Sequence, residues 1–153
     1  MERRAAAKFR GSTYAFVADS EPDDADEVAA AIDAGLAFVA VDAADQPVGF
    51  LTAMTIAEGL YLKQIDVDPA AQGAGIDRAL IAALVVEAGR RASRAIWLRT
   101  FLDVPWNAPW YARQGFARVA DGLPDSIAAA LLDHECEAGF DPATRCTMMK
   151  RLD

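Results

Sequence analysis

Residues 60–80, LYLKQIDVDPAAQGAGIDRAL, constrain this chain more than any other stretch, because they dictate a strand, a turn and a helix in immediate succession. Apolar residues alternate at Leu60 and Leu62 and resume at Ile65 and Val67, so the period of two slips by one residue at Lys63-Gln64. Such a slip predicts a β-bulge, which bends a strand and re-aims its backbone. Asp68-Pro69 ends the strand, since proline has no amide to give to a ladder and turns the preceding residue away from helix. Gly73 and Gly75 let backbone amides converge, and the helix beginning near Ile76 adds its own unpaired amides and the positive end of its dipole. An anion cradle beside a bulged strand is the expected result.

The rest of the chain must serve that unit. With 153 residues, 54% of them hydrophobic and 25% charged, residues 1–153 fit a single globular domain. The strongest apolar run, Ala79 to Val86, is too short to span a bilayer, and no cleavable signal pattern opens the chain. The expectation is a cytoplasmic protein without a membrane partner. A net charge of -8 argues against nucleic acid and suits a cationic acceptor such as an amine. Cys136 and Cys146 fit no metal-ligand spacing and read as reduced structural residues, and His134, flanked by Asp133 and Glu135, reads as a surface residue. No metal is expected.

Taken in order, Glu2 to Phe9 predicts a short helix stopped by Gly11, and Tyr14 to Ala18 is either a strand or a loop. The acidic run Asp19 to Glu27 caps the first turn of a helix that carries Val28 and Ile32 and stops at Gly35. Leu36 to Val41 and Val48 to Ile56 form a hairpin, and Ala57-Glu58-Gly59 turns into the bulged strand. The helix from Ile76 to about Ala92 lays Leu80, Ile81, Leu84, Val85 and Ala88 on a sheet. Arg90, Arg91 and Arg94 near its end are either solvated capping residues or contacts for an adenosine 3′-phosphate. Ala95 to Phe101 is a parallel strand, and Asn107, Pro109 and Gly115 mark the start and stop of a short helix. A last helix spans Ser126 to Ala138, capped at Ser126 or Asp125, with Ile127 and Leu131 on its inner face, and Arg145 to Leu152 closes the sheet.

The segment Gln72-Gly73-Ala74-Gly75-Ile76-Asp77 resembles the acetyl-CoA pyrophosphate loop of the GNAT superfamily of N-acetyltransferases, Gln/Arg-x-x-Gly-x-Gly/Ala, with Asp77 where glycine or alanine is usual. Residues 100–116, TFLDVPWNAPWYARQGF, are similar to the family's last strand-to-helix segment, which carries an asparagine and then Tyr-x-x-x-Gly-Phe. The resemblance implies an α/β fold with a mixed, mostly antiparallel sheet, splayed between the fourth and fifth family strands and flanked by helices. It also implies that an extended pantetheine arm pairs with strand backbone in the splay. The resemblance calls for a strand before the first helix and none is read here, so either the chain starts late relative to its relatives or that strand is absent, and the edge near Leu36 to Val41 is expected to be covered by Tyr14 to Ala18 or paired across a homodimer.

The chemistry implied is transfer of an acetyl group from acetyl-CoA to a primary amine of a small molecule or peptide. Cofactor contacts fall on Ile65 and Val67 of the bulged strand, on Gln72, Gly73, Ala74, Gly75, Ile76, Asp77 and Arg78 of the loop and helix start, and on Asn107, which serves either there or as a helix cap. Tyr111 takes the position of the acid that protonates the departing thiolate, and a phenol of pKa ~10 suits that task. Gln64 lies where many relatives carry a glutamate. Its amide can position a water but cannot take its proton, and Asp66 is the nearest carboxylate. Trp106 and Trp110 are core cover or acceptor-pocket walls. At ~6 Å and a dielectric of ~20 to 40, Asp77 costs a bound pyrophosphate roughly 1 to 3 kcal/mol per like-charge pair, unless it turns outward. The alternative is a non-catalytic CoA-ester or ligand-binding module, favoured by Gln64 and Asp77.

Overall fold

The computed structural model describes residues 1–21, 24–120 and 122–153, so Pro22 and Asp23 of the acidic run lie outside it. Its strands are β1 (Ala37–Val41), β2 (Pro47–Ile56), β3 (Gly59–Val67), β4 (Ala95–Phe101), β5 (Ala117–Arg118) and β6 (Arg145–Arg151). The helices are α1 (Glu2–Ala6), α2 (Ala25–Asp33), α3 (Ile76–Arg90), α4 (Ala108–Arg113) and α5 (Ala128–Glu137). The six strands form one mixed sheet in the order β1-β2-β3-β4-β6-β5. Pairing is antiparallel for β1/β2, β4/β6 and β5/β6. The β3/β4 pair is parallel and its register consists of Leu60↔Ile96 and Tyr61↔Trp97, at the starts of both strands.

Two compact units divide the chain: Met1–Met54 with Gln64–Leu84, and Thr55–Lys63 with Val85–Asp153. The division inside β3 falls between Lys63 and Gln64, where the apolar alternation slips.

In the first unit, Leu36 and Leu51 are fully buried, and Leu80, Ile81 and Leu84 form the inner face of α3. A Cβ on Gly49 would stand 2.9 Å from Ile76 Cγ2 and 3.2 Å from the Asp66 carbonyl, so the start of α3 approaches β2 as closely as only glycine allows. The described elements before β1 are all helical. α1 continues as a 3-10 turn over Ala7–Phe9, and Tyr14 to Ala18, expected as strand or loop, lies largely in a 3-10 helix over Ala15–Asp19. Tyr14 and Ala18 are buried whereas Phe16 is 42% exposed, a four-residue spacing that suits a helical turn. Asp24 caps α2 by accepting the Asp26 amide at 3.0 Å. On α2, Ala31 takes the buried position and Ile32 is 61% exposed.

The second unit buries Leu60, Leu62, Ile96, Leu98, Phe101, Phe116 and Met148. α3 stops two residues before the expected Ala92, which instead adopts a left-handed φ of 52°. Ser93 donates to the Ala88 carbonyl at 2.9 Å and Ala92 to that of Gly89 at 3.0 Å, the paired bonds of a Schellman stop. Alanine is strained there, so Ala92→Gly is expected to raise unfolding stability by about 1 kcal/mol, measurable by urea denaturation.

The expected cap of α5 is not used as such. Ile127 holds the cap position, while the Ser126 amide donates to Glu58 Oε1 at 3.1 Å and its hydroxyl donates to Glu58 Oε2. The inner residue of α5 is Glu135, at 3% exposure, while Leu131 and Ile127 are half-buried. Both cysteines are free, Cys146 buried and Cys136 exposed. His134 is exposed, no described helix is long and apolar enough to cross a membrane, and the described residues hold no group of metal ligands.

Candidate active site

In the first unit, β3 runs into the loop through Asp68. Its amide donates to the Val48 carbonyl at 2.8 Å, and its carboxylate accepts from the Ala70 amide at 3.0 Å, capping a 3-10 turn over Pro69–Ala71. Gln72, Gly73 and Ala74 follow, all exposed, and Gly73 and Gly75 take φ values of 82° and 78°. Neither glycine has an atom within 4 Å of where a Cβ would stand, so the left-handed backbone is left open to a ligand. The 15 residues of α3 begin at Ile76, and the Ala79 amide starts its ladder by donating to Gly75 at 3.0 Å.

Asp77 is hydrogen-bonded at the start of α3. Its Oδ1 accepts the Arg78 amide at 2.8 Å, which holds the carboxylate at the amino end of α3 and occupies one of the amides expected to face an anion. On β3, Gln64 donates through Nε2 to Asp66 Oδ2 at 2.7 Å, while Gln64 Oε1 is buried with no partner in the protein. An unfilled buried acceptor is costly unless a ligand or water supplies a donor. Ile65 and Val67, the other residues assigned to this strand, are half-buried.

In the second unit, Asn107 stands at the cap position of α4 but makes no side-chain cap bond. Its Oδ1 accepts from Thr100 Oγ1 at 3.0 Å, and its Nδ2 is buried without a partner. Side-chain capping therefore does not account for this asparagine, and its Nδ2 remains a buried donor that no protein group uses. Tyr111 is 9% exposed and packs edge-on against Trp110 at 5.0 Å and Phe116 at 5.7 Å. Trp106 is 38% exposed. Arg90 and Arg91 both pair with Glu87, at 3.6 and 2.8 Å.

A buried charge cluster in this unit escaped the sequence reading. Glu135 accepts from Arg99 Nε and Nη2 at 2.9 and 2.7 Å and from Arg145 Nε at 2.8 Å. The Arg145 guanidinium lies over the rings of Phe101 and Phe140, 4.9 and 4.6 Å from their centroids. Burial raises the nearby Tyr61 phenol to about 12, with Arg145 opposing. Arg99 and Glu135 are 36 residues apart, so only a contact across the fold announces the pair.

Residues 33–118 match the acetyltransferase (GNAT) domain family. Among solved structures, the chain is similar to an N-acetylglutamate synthase from Neisseria gonorrhoeae complexed with coenzyme A and N-acetyl-glutamate, at 16% identity and a TM-score of 0.69 over 86% of this chain and 28% of that one. It is similar to nourseothricin acetyltransferase at 26% identity and a TM-score of 0.58, over 76% of this chain and 65% of that one. A GNAT-family acetyltransferase from Staphylococcus aureus Mu50 matches at 16% identity and a TM-score of 0.66, over 99% and 92%. The chain thus spans less than two thirds of the first two proteins.

Proposed function

Because the chain belongs to the GNAT acetyltransferase family, we propose that it moves an acetyl group from acetyl-CoA to a primary amine of a small molecule or peptide. The observation that carries this reading is the loop at the head of α3, where Gly73 and Gly75 hold left-handed backbone with open space at both Cβ positions. That is the form a pyrophosphate cradle requires. Two relatives of this fold were solved with coenzyme A, the Neisseria synthase and Rv2747 from Mycobacterium tuberculosis, the latter at 20% identity.

Acetyl-CoA supplies the acetyl thioester. Gln72 to Ile76 hold its pyrophosphate through backbone amides, with Asp77 and Arg78 bordering them, and Asn107 Nδ2 donates to the cofactor. Amides near Ile65 and Val67 polarise the thioester carbonyl, as preorganised donors do in acyl transfer. Gln64 Oε1 accepts from the acceptor amine or from a water beside it; the amide orients and does not take the proton. Tyr111 gives its proton to the departing thiolate, and the proton that the nitrogen sheds as the C–S bond breaks passes to solvent water, from which the phenol is reprotonated. Association of two copies along β1, where Val39 and Val41 are 60% and 51% exposed, belongs to the same proposal, as do a cytoplasmic location and a single functional domain.

One observation favours a second reading, a CoA-ester-binding module without turnover: Asp77 keeps a negative charge on the α3 terminus. Thiol release from acetyl-CoA over a panel of amines, with cofactor binding measured beside it, separates the two. Binding without thiol release selects the module.

The loop has its own test. Asp77→Gly should tighten acetyl-CoA binding, by about tenfold if one like-charge pair of ~1.4 kcal/mol is removed. Gly75→Val should abolish binding, since a branched side chain is strained at that φ and fills the space the cofactor needs. Titration calorimetry on both variants, with circular dichroism as the folding control, checks this. Unchanged affinity in both would remove the loop from the site.

A further inference from the structure

Gln64 and Asp66 stand two residues apart on β3, the spacing that brings side chains to one face of a strand, and they are bonded to each other. An ionised carboxylate accepts and cannot donate, so the 2.7 Å contact with Asp66 Oδ2 obliges Gln64 to present its amide nitrogen to it. The orientation of the amide is thereby fixed. Its other atom, Oε1, is buried and meets no donor in the protein. A buried carbonyl oxygen left in this way calls for a ligand that brings hydrogen to it, and a group with acceptors alone finds no partner there.

We propose that Asp66 is a positioning residue for the acetyl acceptor: it holds the Gln64 amide so that Oε1 takes one N–H of the attacking amine, leaving the lone pair free for the thioester carbonyl. The proposal rests on the acetyl-transfer reading above and adds Asp66 to it. As the N–C bond forms, the nitrogen becomes cationic, and a hydrogen bond from a charged donor is about twice as strong as one from a neutral donor. The carboxylate bonded to the amide nitrogen polarises Oε1 and adds to that gain. The nitrogen sheds a proton to solvent water as the C–S bond breaks, and the thiolate takes its proton from Tyr111. Gln64 and Asp66 orient and polarise, and neither takes a proton.

A double-mutant cycle over Gln64→Leu, Asp66→Leu and the double variant tests this. It is read as kcat/KM for a responsive amine, with calorimetry of acetyl-CoA and melting temperature beside it. Gln64→Leu should lower kcat/KM about 10- to 100-fold, the effect of one hydrogen bond to a charged group. Asp66→Leu should lower it about 5- to 20-fold, with acetyl-CoA affinity within about twofold of wild type. In the Gln64→Leu background, Asp66→Leu should add almost nothing, because a residue that acts through another has nothing left to position. If Asp66→Leu melts early, Asp66→Asn, which keeps the shape and removes the charge, takes its place in the cycle. Losses that multiply, or wild-type efficiency in Asp66→Leu, would overturn the role of Asp66 and leave acetyl transfer intact. Heteronuclear NMR of the free protein reads the pair without any substrate: the Gln64 side-chain amide, assigned by its loss in Gln64→Leu, should carry one downfield proton that moves upfield in Asp66→Leu. No such proton in wild type would overturn the pair. With the pair present, absence of thiol release for every amine of the panel would overturn the acetyl-transfer reading, and this role with it.

Discussion

Tyr111→Phe is expected to lower turnover about 10²- to 10⁴-fold, the usual range for loss of a general acid, while leaving acetyl-CoA affinity nearly unchanged. The substitution keeps the ring and its packing neighbours. Tyr111 packs edge-on against Trp110 and Phe116, its amide donates to the Asn107 carbonyl at 2.9 Å, and its carbonyl accepts from Gln114 and Phe116 at 2.9 and 3.1 Å. Only the hydroxyl is lost. An acid that acts on a leaving group is used in the transition state, so its removal appears in kcat and not in ground-state binding. The measurement is steady-state thiol release with a responsive amine, beside calorimetry of the cofactor. Wild-type turnover in the variant would leave Tyr111 a packing residue alone.

Glu135→Gln is expected to cost about 3 to 5 kcal/mol of stability at neutral pH, the loss typical when one partner of a buried ion pair is removed. The Arg99 and Arg145 side chains are 8% and 13% exposed, and both donate to this one carboxylate. Without its charge, two guanidinium groups are left buried together. Burial by itself raises the Glu135 pKa, but the Arg99 hydrogen bonds and the charges of Arg145 and Arg99 outweigh it and hold the group below its ordinary 4.5. A carboxyl whose pKa is lower in the folded state stabilises the fold fully above its unfolded pKa. That contribution disappears as pH falls through the folded value. The gap between wild type and variant in urea denaturation should therefore be widest near neutrality and close in acid. A gap below about 1 kcal/mol at pH 7 would mean that solvent already screens the cluster, as at an exposed pair.

Much of the fold was legible in the chain because its signals are local. β4 matches its expected bounds, Ala95 to Phe101, since two turn regions bracket a run of β-formers. The loop conformation follows from Gly73 and Gly75, whose left-handed φ values few other residues adopt cheaply. The inner face of α3 follows from helical spacing, with Leu80, Ile81, Leu84 and Ala88 all buried. Tyr14 to Ala18 was less legible, because five apolar residues carry too little periodicity to separate a strand from a tight helical turn.

What the sequence by itself determined is the order of elements and the residue types offered to the site: an open glycine loop at a helix start, an asparagine and a tyrosine on a short helix. Only the tertiary structure decided how polar groups were paired. Asn107 looks like a cap and is instead taken by Thr100, with its amide nitrogen buried and unpartnered in the protein. Ser126 gives its amide and hydroxyl to Glu58, 68 residues away. Glu135 reads as one more surface charge until Arg99 and Arg145 close on it. Local sequence fixes backbone preference within a few residues, whereas the partner of a buried polar group is chosen by whatever the folded chain brings within hydrogen-bond distance.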